Sequence, residues 1–365
     1  MSDETPTSTP TASVAVRPVT GRVLRTRGEG VALRLSTRTL VVGVSLALAL
    51  LATATITLTT GEFEVSLSEV LAVLVGQGDG AADFIVGTLR LPRLLTAVFV
   101  GAGLAVSGAI LQSLLRNPLG SPDFVGFTNG ASTGALVMII VVGGTMTQVA
   151  VGALVGGLVT ALLVYVLSYR RGVQGYRFVL IGVGINALAL SVNSYLITRA
   201  DIYDAVSAQA WLVGSVNSRS WDHVAVSGLA LAVLLPLALS QVRALSMLEL
   251  GDQSATALGV GVQRSRAILI ASSVLLAGFA TAAAGPIWFV ALAAPQLARR
   301  LTRGAAPGLV TSALMGALLL AVSDLAMDRL FPAQQLPVGT ATGCVGGLYL
   351  MWLLASEWRG KGRYA

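Results

Sequence analysis

The chain has 365 residues, of which 55% are hydrophobic and only 11% charged, with a mean hydropathy of +0.80. Soluble globular chains carry about 25% charge, so this composition excludes one and describes an integral membrane protein. A single cysteine, Cys344, excludes a disulfide scaffold, and the net charge of +7 lies between apolar runs, where it sets topology and forms no nucleic-acid-binding patch.

Residues 1–38 are Thr/Ser/Pro-rich and then arginine-dotted, too poor in apolar side chains to pack, and are expected to be a disordered basic cytoplasmic tail. The first apolar run, 39–60, contains Ala52-Thr53-Ala54 behind a 12-residue core (40–51), which looks like a leader cleavage site. Its overlong leader and the apolar residues beyond, Ile56 and Leu58, favour a retained span. Uncharged stretches recur at 94–115, 124–169, 178–198, 224–242, 267–298, 304–323 and 330–356. They lack the period-two alternation of a membrane β-barrel, which leaves an all-α polytopic bundle.

A spanning helix needs about 20 apolar residues, so 124–169 holds two, broken near Gly143-Gly144-Thr145. Residues 267–298 read as a full helix and a short returning one, with Gly285-Pro286 as the breaker. That predicts a ten-helix bundle with a short third helix, after Asn117-Pro118-Leu119-Gly120-Ser121-Pro122, and a short eighth. With both termini inside, 19 of the 24 basic residues fall on the inner side, whereas a single span at 267–298 would put Arg359, Lys361 and Arg363 outside. Two breaks at corresponding places point to an inverted repeat around a translocation path. Outer loops are expected at 61–89 and 199–222, and the largest inner connection at 241–266.

Several chemistries lack their residues. His223 is the only histidine and Lys361 the only lysine, so His-rich zinc sites, HExxH helices and Cys/His dyads cannot be built. Trp358-Arg359-Gly360-Lys361-Gly362 is not GxxxxGK[ST], so the chain has no Walker P-loop. His223 reads as an imidazole at the membrane interface. In the inner connection, Asp252 can cap a short helix and Gly259 can end it, giving a small amphipathic pair whose Ala255/Leu258 face fits a partner protein. Asn186 and Asn193 share one face of the fifth helix, either lining the path or bonding between helices. A secondary transporter is the main rival reading. It needs an acid at depth, whereas Asp123, Asp324 and Asp328 flank spans, with Asp324 the nearest to buried.

Several ordered motifs resemble those of the FecCD-type permease family of bacterial ABC importers for iron-siderophores, haem and cobalamin. They are Arg90-Leu91-Pro92-Arg93, Gly108-Ala109-Ile110-Leu111-Gln112, Asn117-Pro118-Leu119, residues 248–260 and 284–292, and Gln335-Leu336-Pro337-Val338-Gly339. Residues 248–252, 263–266 and 334–339 carry a finer likeness to the ferric-enterobactin branch. The resemblance implies a permease domain over 39–357, a cytoplasmic coupling loop at 241–266 within it and a cytoplasmic C-terminus at 358–365. It further implies a bacterial cytoplasmic-membrane subunit that pairs with a second permease subunit, a sister or an identical copy. Two ATPase subunits would dock on Glu249, Leu250, Gly251, Asp252, Ala255, Leu258 and Gly259. These would carry ATP and Mg2+, with no cofactor in this chain, which would be no enzyme itself. An extracytoplasmic siderophore-binding protein would dock on Arg90, Arg93 and Arg329, for which the physical alternative is anchoring at the membrane interface.

Asn117 and Leu119 match one half of a cytoplasmic gate, and Gly175 and Tyr176 fall where the other half sits, without the small hydroxyl pair of the cobalamin member. Gln296 stands where many relatives have histidine, which removes a titratable group. The implied cargo is an iron-siderophore of the ferric-enterobactin kind, with haem or cobalamin as alternatives. The spans carry no arginine cage that would announce an anionic ferric catecholate.

Overall fold

The computed structural model describes residues 22–25, 32–169, 175–304, 307–331 and 336–361. Much of the expected tail, 1–21 and 26–31, lies outside them. Within it, Arg22–Arg25 (β1) and Ala32–Leu35 (β2) pair as an antiparallel ribbon, so this part of the tail is not the unstructured segment its composition predicts. The rest is helical: α1 (Thr37–Thr59), α2 (Leu67–Leu74), α3 (Gly80–Leu115), α4 (Phe127–Val142), α5 (Met146–Ser168), α6 (Gly175–Arg199), α7 (Ile202–Val213), α8 (Trp221–Ser240), α9 (Val242–Glu249), α10 (Asp252–Ala257), α11 (Val262–Ala284), α12 (Val290–Thr302), α13 (Leu309–Leu330) and α14 (Val338–Lys361).

Among the described residues, α1, α3, α5, α6, α8, α11 and α13 are long and apolar enough to cross a membrane, and α4 is a shorter apolar helix. The expected short helices are α4 and α12, and the predicted break at 143–145 is real. Gly143 turns with φ 64°, and Thr145 opens α5 with a capping box to Gln148. Two predicted loops contain helix. Ser66 and Glu69 cap α2 reciprocally, and those hydrogen bonds hold the Glu69 carboxyl below its ordinary value. Outer loop 199–222 folds in part as α7, and α14 continues to Lys361, four residues into the expected C-terminal tail.

The helix α3 is the centre of the bundle, mostly buried, with α13, α11, α12 and α8 packed around it; α1 and α6 are mostly exposed. Lipid tails are as apolar as leucine, so close backbone packing must hold such helices together. Gly101 of α3 and Gly316 of α13 meet backbone to backbone, and a Cβ on either would overlap the other's carbonyl. Gly134 of α4 lies on the Gly152 carbonyl of α5, Gly156 of α5 lies on the Gly130 carbonyl of α4, and Gly130 makes room for the Thr160 side chain. Two ends are thereby defined. The basic end carries the start of α1, tied by Arg38 Nε to Leu301 O (2.7 Å), with the ends of α3 and α12 and the pair α9–α10. The opposite end carries the end of α1, the starts of α3 and α8 and the end of α13.

Candidate coupling and gate site

At the basic end, α3 stops in a Schellman motif. Asn117 N donates to Gln112 O (3.1 Å) and Arg116 N to Ser113 O (3.2 Å), with Arg116 left-handed at φ 50°, where glycine is usual. Asn117-Pro118-Leu119-Gly120 then turns back: Gly120 N reaches Asn117 O (3.0 Å), and Asn117 Oδ1 accepts from Leu119 N (2.9 Å). Leu119 is exposed at the tip. Gly175 lies against Leu115 at the end of α3, two residues before Asn117. Tyr176 next to it is exposed, and residues 170–174 between α5 and α6 lie outside the described part.

The helices α9 and α10 form the compact pair expected from the sequence, with two corrections. Asp252 does not cap α10. The cap position is Gly251, and Asp252 is the first helical residue, its carboxylate bound by Arg266 (2.7 Å) and facing Arg116 at 3.7 Å. Ala255 and Leu258 do not share an outward face either. Ala255 is fully buried against the bundle, while Leu250 and Leu258 are exposed and carry the apolar surface. Gly259 does end the helix, with φ 80° and the bonds Gly259 N to Thr256 O and Val260 N to Ala255 O, both 3.0 Å. Gly251 has φ 108° and ψ 154°, a region essentially restricted to glycine.

Two ion pairs fasten this pair to the bundle. Asp252 holds α11 through Arg266 and approaches Arg116, the residue before Asn117. Glu249 accepts from Arg299 of α12 (2.9 Å), whose guanidinium also donates to Ser113 Oγ of α3. Arg116, Arg266 and Arg299 are among the basic residues that the charge count assigns to the inner side, and in the fold they make these links. Their partners lie 14 to 136 positions away, and no local pattern announces them.

The asparagines on α6 both bond to α4: Asn129 Nδ2 donates to Asn186 Oδ1 (2.7 Å), Thr133 Oγ1 donates to Asn193 Oδ1 (2.7 Å), and Asn193 Nδ2 donates to Asn129 O (3.3 Å). His223 serves in the cap of α8, where its Nδ1 accepts from Ser220 N (3.2 Å). Asp123, expected at a span end, is buried and accepts from Thr128 Oγ1 (2.6 Å).

At the opposite end, Arg90, Arg93 and Arg329 converge on one cavity of about 750 Å³ that also takes in Arg219, Asp324 and Asp328. All three expected docking arginines have partners within the chain. Arg90 donates to Leu58 O (2.7 Å) and Phe63 O (2.6 Å), Arg329 to Thr60 Oγ1, and Arg93 forks onto Asp324 (2.8 and 2.9 Å) and reaches Asp328 (3.0 Å). Asp324 is buried, and Arg93 neutralises it.

Residues 46–356, nearly all of the bundle just described, match the FecCD transport family. The chain belongs to that family. As a FecCD protein it is a multi-span membrane permease, and it matches its relatives over most of their length. The chain is 44% identical to the ferric enterobactin transport system permease protein FepG of Escherichia coli K12 over 302 residues, 83% of this chain and 92% of that one. It is 38% identical to the Fe(3+) dicitrate transport system permease protein FecD of Escherichia coli K12, over 73% of this chain and 83% of that one. It is 34% identical to the hemin transport system permease protein HmuU of Yersinia pestis, over 74% and 82%. The solved structure of a metal-chelate type ABC transporter in an inward-facing conformation superposes with a TM-score of 0.78 at 28% identity, covering 86% of this FecCD chain and 99% of that one.

Proposed function

We propose that this chain is a permease subunit of an ATP-driven importer in the bacterial cytoplasmic membrane, and that its cargo is a ferric catecholate siderophore of the enterobactin kind. It works with a second permease subunit, two ATPase subunits that carry ATP and Mg2+, and an extracytoplasmic siderophore-binding protein. The observation that carries the cargo is the 44% identity to a ferric enterobactin permease over 92% of its length, against 38% and 34% for the dicitrate and hemin permeases. The mechanism follows from the basic end. An ATPase subunit seated on Leu250 and Leu258 moves α9–α10. Asp252 passes that movement to Arg116 and the turn at Asn117–Leu119, and Glu249 passes it to α12.

Asp324 gives an ion-coupled carrier no support, because its carboxylate is held by Arg93 and is not free to cycle a cation. The test is uptake of radiolabelled iron, supplied as ferric enterobactin, ferric citrate or hemin, by cells with and without the chain, and by liposomes holding the purified chain alone under an ion gradient. Uptake of ferric enterobactin that needs the chain and is absent from those liposomes is expected. Preference for ferric citrate or hemin would overturn the cargo, and gradient-driven uptake by the chain alone would overturn the ATP-driven reading.

A further inference from the structure

The contact between α3 and α12 contains a polar joint that packing alone does not require. Pro295 lies inside α12 and has no N–H, so the carbonyl four residues before it, Ala291 O, cannot be satisfied within the helix. Gly108 lets α3 come so close that a Cβ there would overlap that carbonyl. Gln112, one turn on and almost fully buried, turns its amide nitrogen onto the first turn of α12, at 3.0 Å from Leu292 O and 3.5 Å from the freed Ala291 O. With both carbonyls accepting, the orientation of the amide is fixed and Gln112 Oε1 must find a donor elsewhere.

That donor is Gln296. Its Nε2 lies 2.6 Å from Gln112 Oε1 and 3.4 Å from Pro118 O, in the middle of the Asn117–Leu119 turn. One turn further along α12, Arg299 holds Glu249 of the coupling pair. A single 13-residue helix therefore grips the turn through Gln296 and the coupling pair through Arg299.

We propose that Gln296 is a positioning residue that latches the Asn117–Leu119 turn to α12, so that displacement of α9–α10 reaches the gate through α12. This inference rests on the reading of that turn as the cytoplasmic gate. An apolar residue at 296 breaks the latch, strands a buried oxygen on Gln112 and frees the Pro118 carbonyl. Histidine keeps one N–H donor and preserves the link to Gln112.

The test uses the complete transporter in nanodiscs, with Cys344→Ser and a cysteine introduced by Leu119→Cys, and reads the rate of modification by a water-soluble maleimide. Gln296→Met, of nearly the same shape, is expected to raise that rate about 5–10-fold without nucleotide, the value of one lost hydrogen bond. Gln296→His is expected to return it to near the parent rate. Thr198→Cys, exposed near the end of α6 and away from the coupling pair, reports general loosening and is expected not to respond. An unchanged rate at position 119 in the folded Gln296→Met protein, or an equal rise at 198, overturns the latch. If the rate at position 119 is the same with and without trapped ATP, the turn is no gate, and the transmission role falls with it. A turn that responds to ATP and ignores Gln296→Met overturns the latch alone.

Discussion

Arg93 shows what one residue's surroundings do to a reading from type and position. An arginine at the outer end of a span, three residues after another, fits either a docking charge or an interfacial anchor. In the folded chain it is committed to two carboxylates of α13, one of them buried. Removing one partner of such a pair leaves a buried charge uncompensated, at about 3–5 kcal/mol, whereas replacing both by apolar residues is often neutral. Arg93→Ala is therefore expected to lower the thermal unfolding temperature in detergent sharply, and Arg93→Met with Asp324→Leu to recover most of the loss. A single mutant as stable as wild type would show that the pair does not hold α3 to α13.

Docking charge at this end is better sought at the exposed Arg329, whose link to Thr60 is at the surface. Arg329→Glu should weaken binding-protein affinity at low salt and matter less at 1 M, where the Debye length falls to about 3 Å. A salt-independent difference would assign Arg329 to structure. None of these pairings was legible in the sequence. Arg93 and Asp324 are 231 positions apart, and only the packing of α3 on α13 brings them together.

At the scale of elements the sequence was far more informative, because long apolar runs and Gly/Pro breaks report directly on what a bilayer demands. The break at 143–145, the short α4 and α12 and the pair α9–α10 were all legible. The helices α2 and α7 were not, being short and held by a cap in α2 and by tertiary contact in α7, and not by span-length apolarity. In α9–α10 the existence of the pair could be read, but its outward face could not. Which of Ala255 and Leu258 is covered depends on the rotation of α10, and Gly251 sets that rotation with a backbone conformation other residues avoid. Gly251→Ala should cost about 1–3 kcal/mol of local strain and tilt α10. Uptake is expected to fall severalfold while membrane yield stays unchanged, and Asp252→Arg, which places like charge against Arg266 and Arg116, should abolish it. Wild-type uptake from both variants would remove α9–α10 from coupling.

For the whole molecule, the charge asymmetry predicts both termini on the cytoplasmic side, with the basic end of the bundle facing inward. In a Cys344→Ser background, cysteines introduced by Ser2→Cys and Tyr364→Cys should resist an impermeant thiol reagent in intact cells, and one introduced by Glu62→Cys should react. Labelling of both termini from outside would invert the topology.

The glycine contacts carry a further consequence for how such a molecule can move. Where Gly101 meets Gly316, and where Gly134 meets Gly152 and Gly156, backbone lies against backbone, and little side chain is there to change rotamer and absorb a small displacement. These seams behave as welds rather than hinges. Those seams, with Gly108 on Ala291 and the asparagine bonds of α6, group α3 with α12 and α13 as one spar and α4 with α5 and α6 as another, and the displacement that alternation requires is expected between them. Spin labels at Thr88 and Leu330 on the first spar should keep one separation with and without ATP, as should a pair at Gln148 and Thr198 on the second, while Thr88 to Thr198 changes. A shift within either spar would show that a weld had opened.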